Sequence, residues 1–309
     1  VSSVLTPPQN LAAPSLRTQR IVALILLICQ GGITVTGSIV RVTGSGLGCN
    51  TWPQCHEGSL VPVEGAAPLV HQAIEFGNRL LTFVLVAAVV AMFITLRLAQ
   101  RRRELMIYVL ISGLGVVLQA VIGGISVLVD LQWWSVAIHF LPSMFLVWVA
   151  ALLYVRVAEP DEGVPERTYP RAVRVSAVIA TCALMVVLVT GTMVTGAGPH
   201  AGDAEAGMSG RLEVDIDLMA HIHGYLMYVY LLCTFITVVL LHLRKAPEAA
   251  KRTGLVLIAM IVVQAGIGIM QYRLGVPRWS VPIHIAMSSV VVAFTAFLYA
   301  HGLKRTVRS

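Results

Sequence analysis

Two histidines, His139 and His284, stand 145 residues apart, and each follows a glutamine, Gln119 or Gln264, by twenty residues. The flanking segments match in register. Val-Leu-Gln-Ala-Val-Ile-Gly ending at Gly123 answers Val-Val-Gln-Ala-Gly-Ile-Gly ending at Gly268, and Trp134 to His139 answers Trp279 to His284 without a gap. A duplicated apolar helix pair accounts for the recurring Val and Ile by composition alone. It does not account for an amide and an imidazole returning in register within apolar segments, because a buried polar group needs a partner. Imidazoles facing each other across a four-helix bundle, in an apolar cavity, are the arrangement that holds a haem by two axial ligands. A lone histidine reads more simply as a satisfied core residue; the duplication argues against that for His139 and His284.

The same offset pairs His223 with Asn78. His221 lies two residues from His223 and points about 200° around a helix from it; the repeat register selects His223 as the ligand. Where the second half reads Ala220-His221-Ile222-His223, the first reads Glu75-Phe76-Gly77-Asn78-Arg79, with His71 two turns earlier. Positions 71, 75 and 78 share one helical face. A carboxylate inside a membrane helix is costly and reads as functional, unless Glu75 simply pairs with Arg79 four residues on. One half thus reads as a bis-histidine electron-transfer site, the other as the same site modified for chemistry.

Cys49 and Cys55 flank Asn-Thr-Trp-Pro-Gln in a loop. A disulfide fits an oxidising compartment. A metal site using the adjacent His56 is the rival, but two sulfurs and one histidine do not complete a tetrahedral structural site. Cys29, Cys182 and Cys233 read as small apolar core residues, and His56, His200, His242 and His301 as surface residues.

The elements that must carry these groups are membrane helices. The chain is 57% hydrophobic and 12% charged, with a mean hydropathy of +0.82, where a soluble domain carries roughly 25% charged residues. Apolar runs of bilayer-spanning length lie near 21–43, 72–96, 106–128, 134–155, 173–195, 218–241, 254–272 and 281–302. The first reads as a retained helix rather than a signal peptide, since no small-residue cleavage site trails it. The architecture expected is an all-α membrane protein of eight helices, built as two tandem four-helix bundles related by a pseudo-two-fold axis along the membrane normal. Four helices per half is an even number, so both copies enter the membrane in the same sense.

Basic residues set the orientation. Arg17, Arg20, Arg97, Arg101 to Arg103, Arg156, Arg167, Arg171, Arg174, Arg244, Lys245, Lys251, Arg252, Lys304, Arg305 and Arg308 fall on one set of connections; only Arg41, Arg79, Arg211, Arg273 and Arg278 fall on the other. The positive-inside rule then makes both termini cytoplasmic in a bacterial-type plasma membrane. The excess of positive charge is a topology signal, and no basic helix with interleaved aromatics suggests nucleic acid. The expected organisation is a tail at 1–19, a first half at 20–157 with a long outward loop at 45–70, a linker at 158–170, a second half at 171–303 and a tail at 304–309. A second outward loop is expected at 197–216. His71, His139, His223 and His284 all fall at the outward ends of the even-numbered helices, hence at a similar depth.

With these residues in place, the chain resembles the haem A synthase family over nearly its whole length. The resemblance rests on Thr43-Gly44-Ser45-Gly46-Leu47-Gly48-Cys49 leading through Trp52-Pro53 to Cys55, on Ile74-Glu75-Phe76 followed by Asn78-Arg79, and on the duplicated Gln and His segments. It implies a membrane enzyme that oxidises a porphyrin methyl of haem O to a formyl group, giving haem A for cytochrome oxidase. It further implies a haem b held by His223 and His284, and a substrate haem in the first half near His139 and the position of Asn78. Glu75 would be implicated in the reaction, and Cys49 and Cys55 match the family's loop pair. The family pattern has histidine where this chain has Asn78. Either His71 replaces it from roughly 10 Å along the helix, or His139 alone holds the substrate iron.

Arg41 and Arg79 are candidates for haem propionates, or snorkelling anchors. The resemblance implies haem O delivered by a haem O synthase. A quinone as electron partner, a surrounding shell of lipid and a homo-oligomer are all compatible with the chain. The rival function is a di-haem cytochrome b-type electron carrier without bond chemistry, which needs ligands in both sites and no carboxylate beside one. A transporter would want helices broken at mid-membrane.

Overall fold

The computed structural model describes residues 13–201 and 210–307. The start of the tail (1–12), part of the second outward loop (202–209) and Arg308 lie outside the described residues. Eight helices follow one another: α1 (Leu16–Val42), α2 (Leu69–Leu98), α3 (Arg103–Leu128), α4 (Trp133–Arg156), α5 (Arg171–Ala197), α6 (Ile216–Leu243), α7 (Glu248–Arg273) and α8 (Ser280–Ala300). Every one is long and apolar enough to cross a membrane. Their outward-facing positions carry large apolar side chains, among them Phe83, Leu114 and Leu243 at 70%, 72% and 71% exposure. Water would not tolerate such a surface, whereas lipid requires it. The protein is a multi-pass, all-helical membrane protein.

Each half closes into a ring of four. In the first, α1 packs on α2, α2 on α3, α3 on α4 and α4 on α1; in the second, α5 to α8 repeat that order. The rings meet reciprocally, with α4 against α8, α1 against α8 and α5 against α4. Where helices must approach closely the contact uses glycine, as membrane packing favours. A Cβ on Gly115 would lie 2.4 Å from Leu146, and one on Gly254 would lie 2.6 Å from Val238. Between the rings, Thr34 and Ser289 share a hydrogen bond of 3.0 Å.

Diagonal helices stay apart. Among the described residues no Cα of α2 comes within 8 Å of α4, nor any of α6 within 8 Å of α8. The even-numbered helices, which carry the histidines, therefore face each other across an interval that the ring itself keeps open. In the second half that interval has a polar floor: Tyr230 of α6 and Thr295 of α8, both buried, meet at 2.6 Å. Tyr230 lies two turns, about 10 Å, beyond His223. The residues at the matching positions of the first half, Leu85 and Ala150, are apolar and buried.

At the opposite end, the linker is not a plain loop. It forms β1 (Val164–Arg167), which pairs antiparallel with β2 (Leu303–Thr306), so that Val164 faces Thr306 and Arg167 faces Leu303. The arginines that signal topology also hold this linker. Arg102 meets Glu159 at 3.0 Å, Arg101 meets Asp161 at 2.8 Å, and the buried Arg156 meets Glu159 at 2.7 Å and donates to the Leu303 carbonyl. Sequence periodicity could not find a two-stranded sheet of four residues a side, because its partners are far apart in the chain.

Candidate functional site

His223 turns towards α5. Its Nδ1 lies 3.1 Å from Thr190 Oγ1, and its ring stands against Gly191, where a Cβ would be 3.1 Å from Cε1. His221 turns elsewhere: Nδ1 contacts the Asp217 carbonyl of its own helix, and the ring sits edge-on to Tyr272. His284 turns towards α7, with its ring against Gly268 at 3.3 Å by the same measure. Gln264 Nε2 lies 3.1 Å from both His284 Nε2 and the His284 carbonyl, and 2.8 Å from Ser288 Oγ. His284 Nδ1 is buried without a partner.

Two imidazoles on diagonal helices, backed by glycine and set in an apolar ring, fit the axial ligation of one haem. The two buried atoms left without partners, His284 Nδ1 and Gln264 Oε1, support that fit, since a metal on Nε2 would put the ring hydrogen on Nδ1, where it needs an acceptor, and a buried polar atom without a partner costs about 1–3 kcal/mol.

The first half repeats the arrangement with one change. His139 stands against Gly123, where a Cβ would be 3.1 Å from Cε1, and its Nδ1 is likewise buried without a partner. Gln119 Nε2 donates to the His139 carbonyl at 2.7 Å and to Ser143 Oγ. Across the interval, Asn78 accepts from Thr36 Oγ1 at 2.7 Å. Thr36 and Thr190 hold equivalent places in the two Val-Thr-Gly segments, so the Asn78–Thr36 contact reproduces the His223–Thr190 contact. Asn78 and His223 thus each meet the threonine of a Val-Thr-Gly segment on the first helix of their half. Gly37, the counterpart of Gly191, has nothing within 4 Å of its Cβ position, because the shorter Asn78 does not reach it.

In the first half the outward loop covers the histidine end. Gly44 (φ +69°) closes α1, with Ser45 N–H donating to the Val40 carbonyl and Gly44 N–H to that of Arg41, a Schellman closure. The chain then runs against α2 so closely that a Cβ on Gly48 would sit 2.4 Å from the His71 carbonyl oxygen. Cys49 and Cys55 are disulfide-bonded and fully buried. Glu75 fastens the loop: Oε2 accepts from Cys49 N–H at 2.6 Å, and Oε1 pairs with Arg79 at 2.6 Å. Arg79 also donates to the carbonyls of Cys49, Thr51 and Gln54. Burying the Glu75 charge is tolerable only because these donors surround it.

Trp52, at the tip of the bridged segment, lies on α3 at Gly124, where a Cβ would strike its ring at 2.4 Å. The adjacent Gly123 receives His139. Two successive glycines therefore seat the ligand ring and the covering tryptophan, and the second half, with Ile269 after Gly268, has no such seat.

His71 belongs to this loop assembly, with Nδ1 2.9 Å from Ser45 Oγ. Arg41 reaches from the first half into the second, where its guanidinium donates to the Thr195 carbonyl at 3.0 Å and that of His200 at 2.9 Å. Among the described residues it makes no ion pair.

Replacing both Cys49 and Cys55 with Ser should cost only about 2 kcal/mol of stability, since the bridge closes a short segment. Proteolysis within 45–70 should nevertheless speed up, because the bridged turn presents the three carbonyls that Arg79 binds. Unchanged cleavage in the double variant would assign the loop's order to Glu75 and Arg79 alone.

The chain matches the family model described as cytochrome oxidase assembly protein over residues 20–296. It belongs to that family. Curated relatives similar to this family member include the heme A synthase of Listeria welshimeri serovar 6b, 30% identical over 145 residues, covering 45% of each chain. The heme A synthase of Lysinibacillus sphaericus is 33% identical over 131 residues, covering 42% of this chain and 41% of the relative. The aligned part thus spans less than half the length of these relatives.

Several expectations for this family member need correction. His56 is buried, not on the surface; it bridges Gln72 Oε1 at 2.9 Å and Asn50 Oδ1 at 3.1 Å and so stitches the loop to α2. His200 and His301 are half-buried and bonded to Val276 O and Thr253 Oγ1, while His242 is exposed. Cys182 is exposed on the apolar surface rather than in the core. The sulfurs of the loop form the expected disulfide rather than a metal site with His56, and the described residues hold no group of three or more His, Cys, Asp or Glu that could bind a metal ion. The matching helix exits Val35-Thr36-Gly37-Ser38 and Val189-Thr190-Gly191-Thr192 were visible in the sequence, but not the contacts of Thr36 and Thr190; Ser143 and Ser288 were missed, and following the 145-residue offset one turn beyond the histidines would have found those two.

Proposed function

We propose that this protein is a haem A synthase, which oxidises a methyl group of haem O to a formyl group. In this reading the two halves, 20–157 and 171–303, are related by a pseudo-two-fold axis along the membrane normal. The second half holds a haem b between His223 and His284, and the first receives haem O on His139. The observation that carries the reading is asymmetry within the repeat. Both halves have the same glycine-backed histidine on their fourth helix, but among the described residues only the first has a fastened loop with a carboxylate, and it has Asn78 where the second has His223. An electron carrier has no use for that difference. A substrate site does, because its occupant must enter and leave.

Haem b, when bound, supplies one-electron redox chemistry, and the protein supplies orientation and a dry cavity. His139 orients the substrate from α4. Asn78, engaged with Thr36, would not hold the substrate iron, and His71 serves the loop through Ser45. Glu75, held by Cys49 N–H and Arg79, fixes the loop and keeps a negative charge beside the cavity, where it could offset positive charge developing at the methyl carbon. Arg79 acts as the loop's brace, its donors being taken by protein. Arg41, a cation with only carbonyl partners, suits a haem propionate.

The arginine distribution and the oxidised loop support a plasma-membrane location with cytoplasmic termini. Haem O from its synthase, with a quinone as electron acceptor, fits a site open to the membrane. The test is to extract the porphyrins of the purified protein and identify them by mass. Haem b together with haem O, haem A or a hydroxylated intermediate is expected; haem b alone, at two per chain, would make the protein an electron carrier.

A further inference from the structure

The duplicated residues extend beyond the histidines to a complete unit. Gln119 and Gly123 lie one turn apart on α3, and His139 and Ser143 one turn apart on α4; Gln264, Gly268, His284 and Ser288 repeat all four at one offset. In each copy the serine hydroxyl donates to the histidine carbonyl, at 2.9 Å for Ser143 and 2.8 Å for Ser288, and accepts from the glutamine amide. The same amide nitrogen donates to the histidine carbonyl, at 2.7 Å and 3.1 Å. The result is a closed triangle of glutamine, serine and backbone carbonyl at the root of the imidazole, with the glycine one turn below the glutamine lying flat against the ring.

Each copy also keeps two buried atoms without partners, the glutamine Oε1 and the histidine Nδ1. Gln264 Nε2 also meets His284 Nε2 at 3.1 Å, a contact that iron on that nitrogen would displace; Nδ1 then carries the hydrogen and seeks an acceptor, to which Oε1 is complementary. An ordinary helix contact needs none of this, and selection of the amide, the hydroxyl and the missing Cβ together, twice, points to control of the ring.

We propose that Gln264, Gly268 and Ser288 are positioning residues that set the plane of the His284 imidazole on the haem b iron, and that Gln119, Gly123 and Ser143 do the same for His139 on the substrate. The triangle fixes the Cα of the histidine, and the glycine face fixes the rotation of the ring about its side-chain bonds. Ring orientation in turn governs how strongly the ligand binds and how the iron's electrons are distributed. This rests on the reading that His284 ligates haem b.

The experiment compares Gln264→Leu, Gln264→Glu, Gly268→Ala and His284→Ala in the haem-loaded, detergent-purified protein. Readouts are the electron paramagnetic resonance of ferric low-spin haem, its midpoint potential and haem retention on dilution. The alanine at 268 places a methyl 3.3 Å from Cε1, which the ring must turn to avoid. The Gln264 and Gly268 variants should shift the low-spin resonance and the potential, and the Gln264 variants should weaken retention by about 10- to 100-fold. Gln119→Leu should leave the haem b resonance at its wild-type position. Where Gln264→Leu does not accumulate, Gly268→Ala carries the same test, since it removes no hydrogen bond. If His284→Ala abolishes the low-spin signal while the other second-half variants keep wild-type resonance and potential, the ligand stands and the positioning role falls. If His284→Ala leaves the signal intact, the haem assignment itself fails, and this proposal with it.

Discussion

His223→Ala or His284→Ala is expected to abolish the reduced-minus-oxidised b-type spectrum, with the helices still folded. The argument is geometric. The two histidines occupy diagonal helices that the ring holds apart, and below them the interval is closed by the Tyr230–Thr295 hydrogen bond. Each ring contributes a glycine contact and one interhelical polar contact, His223 with Thr190 and His284 with Gln264, so truncation to Ala removes the ligand at the cost of a single such contact. No second side chain is placed to replace either one: His221 faces Tyr272, and Thr190 reaches His223 only at Nδ1. A membrane interior offers no water to fill the lost coordination cheaply. The measurement is an optical difference spectrum of each purified variant beside its circular dichroism. A wild-type spectrum from both would remove the second half as a haem site.

The second large effect is expected from Glu75→Gln: haem A formation should fall at least about tenfold, the low end for loss of a charge stabiliser or acid–base group. The haem b spectrum should stay unchanged, since Glu75 lies in the other half. Gln preserves shape but leaves the Arg79 charge without its counter-ion, among carbonyls that it alone holds together. Breaking one side of a buried pair costs about 3–5 kcal/mol, and less here because Arg79 is 21% exposed.

Arg79→Met separates the two ways in which Glu75 could act. If the carboxylate works by fastening the loop, Arg79→Met should depress haem A formation about as strongly, because the carbonyls of Cys49, Thr51 and Gln54 lose their common donor. Normal turnover in Arg79→Met beside a failing Glu75→Gln would put the carboxylate at the reacting atoms directly. Normal turnover in both would take the loop and its charge out of the reaction.

The sequence by itself determined the eight helices, the tandem repeat and the histidine positions. The physical reason is that a bilayer imposes its thickness on every crossing segment, so apolar runs announce themselves locally. Polar residues inside those runs are too costly to be incidental, and a fixed offset between copies picks out His139, His284 and the Asn78–His223 pair. The helix faces were legible too, since 71, 75 and 78 do lie towards one side of α2.

Only the tertiary structure decided who partners whom. Helical spacing allows Glu75 to meet Arg79 and says nothing of its other partners: Cys49 N–H, and the three loop carbonyls that Arg79 binds, arrive from 25 to 30 residues away. His71 has Ser45, brought back by the Gly44 turn, at its Nδ1, a partner that helical spacing does not reveal. Gly124 looked like part of a repeated apolar segment until Trp52 was found lying on it. The β1–β2 pairing joins residues about 140 apart in the chain. In each case the deciding contact is made by a loop or a terminal segment, whose path is set by long-range closure and not by the local periodicity that a sequence displays.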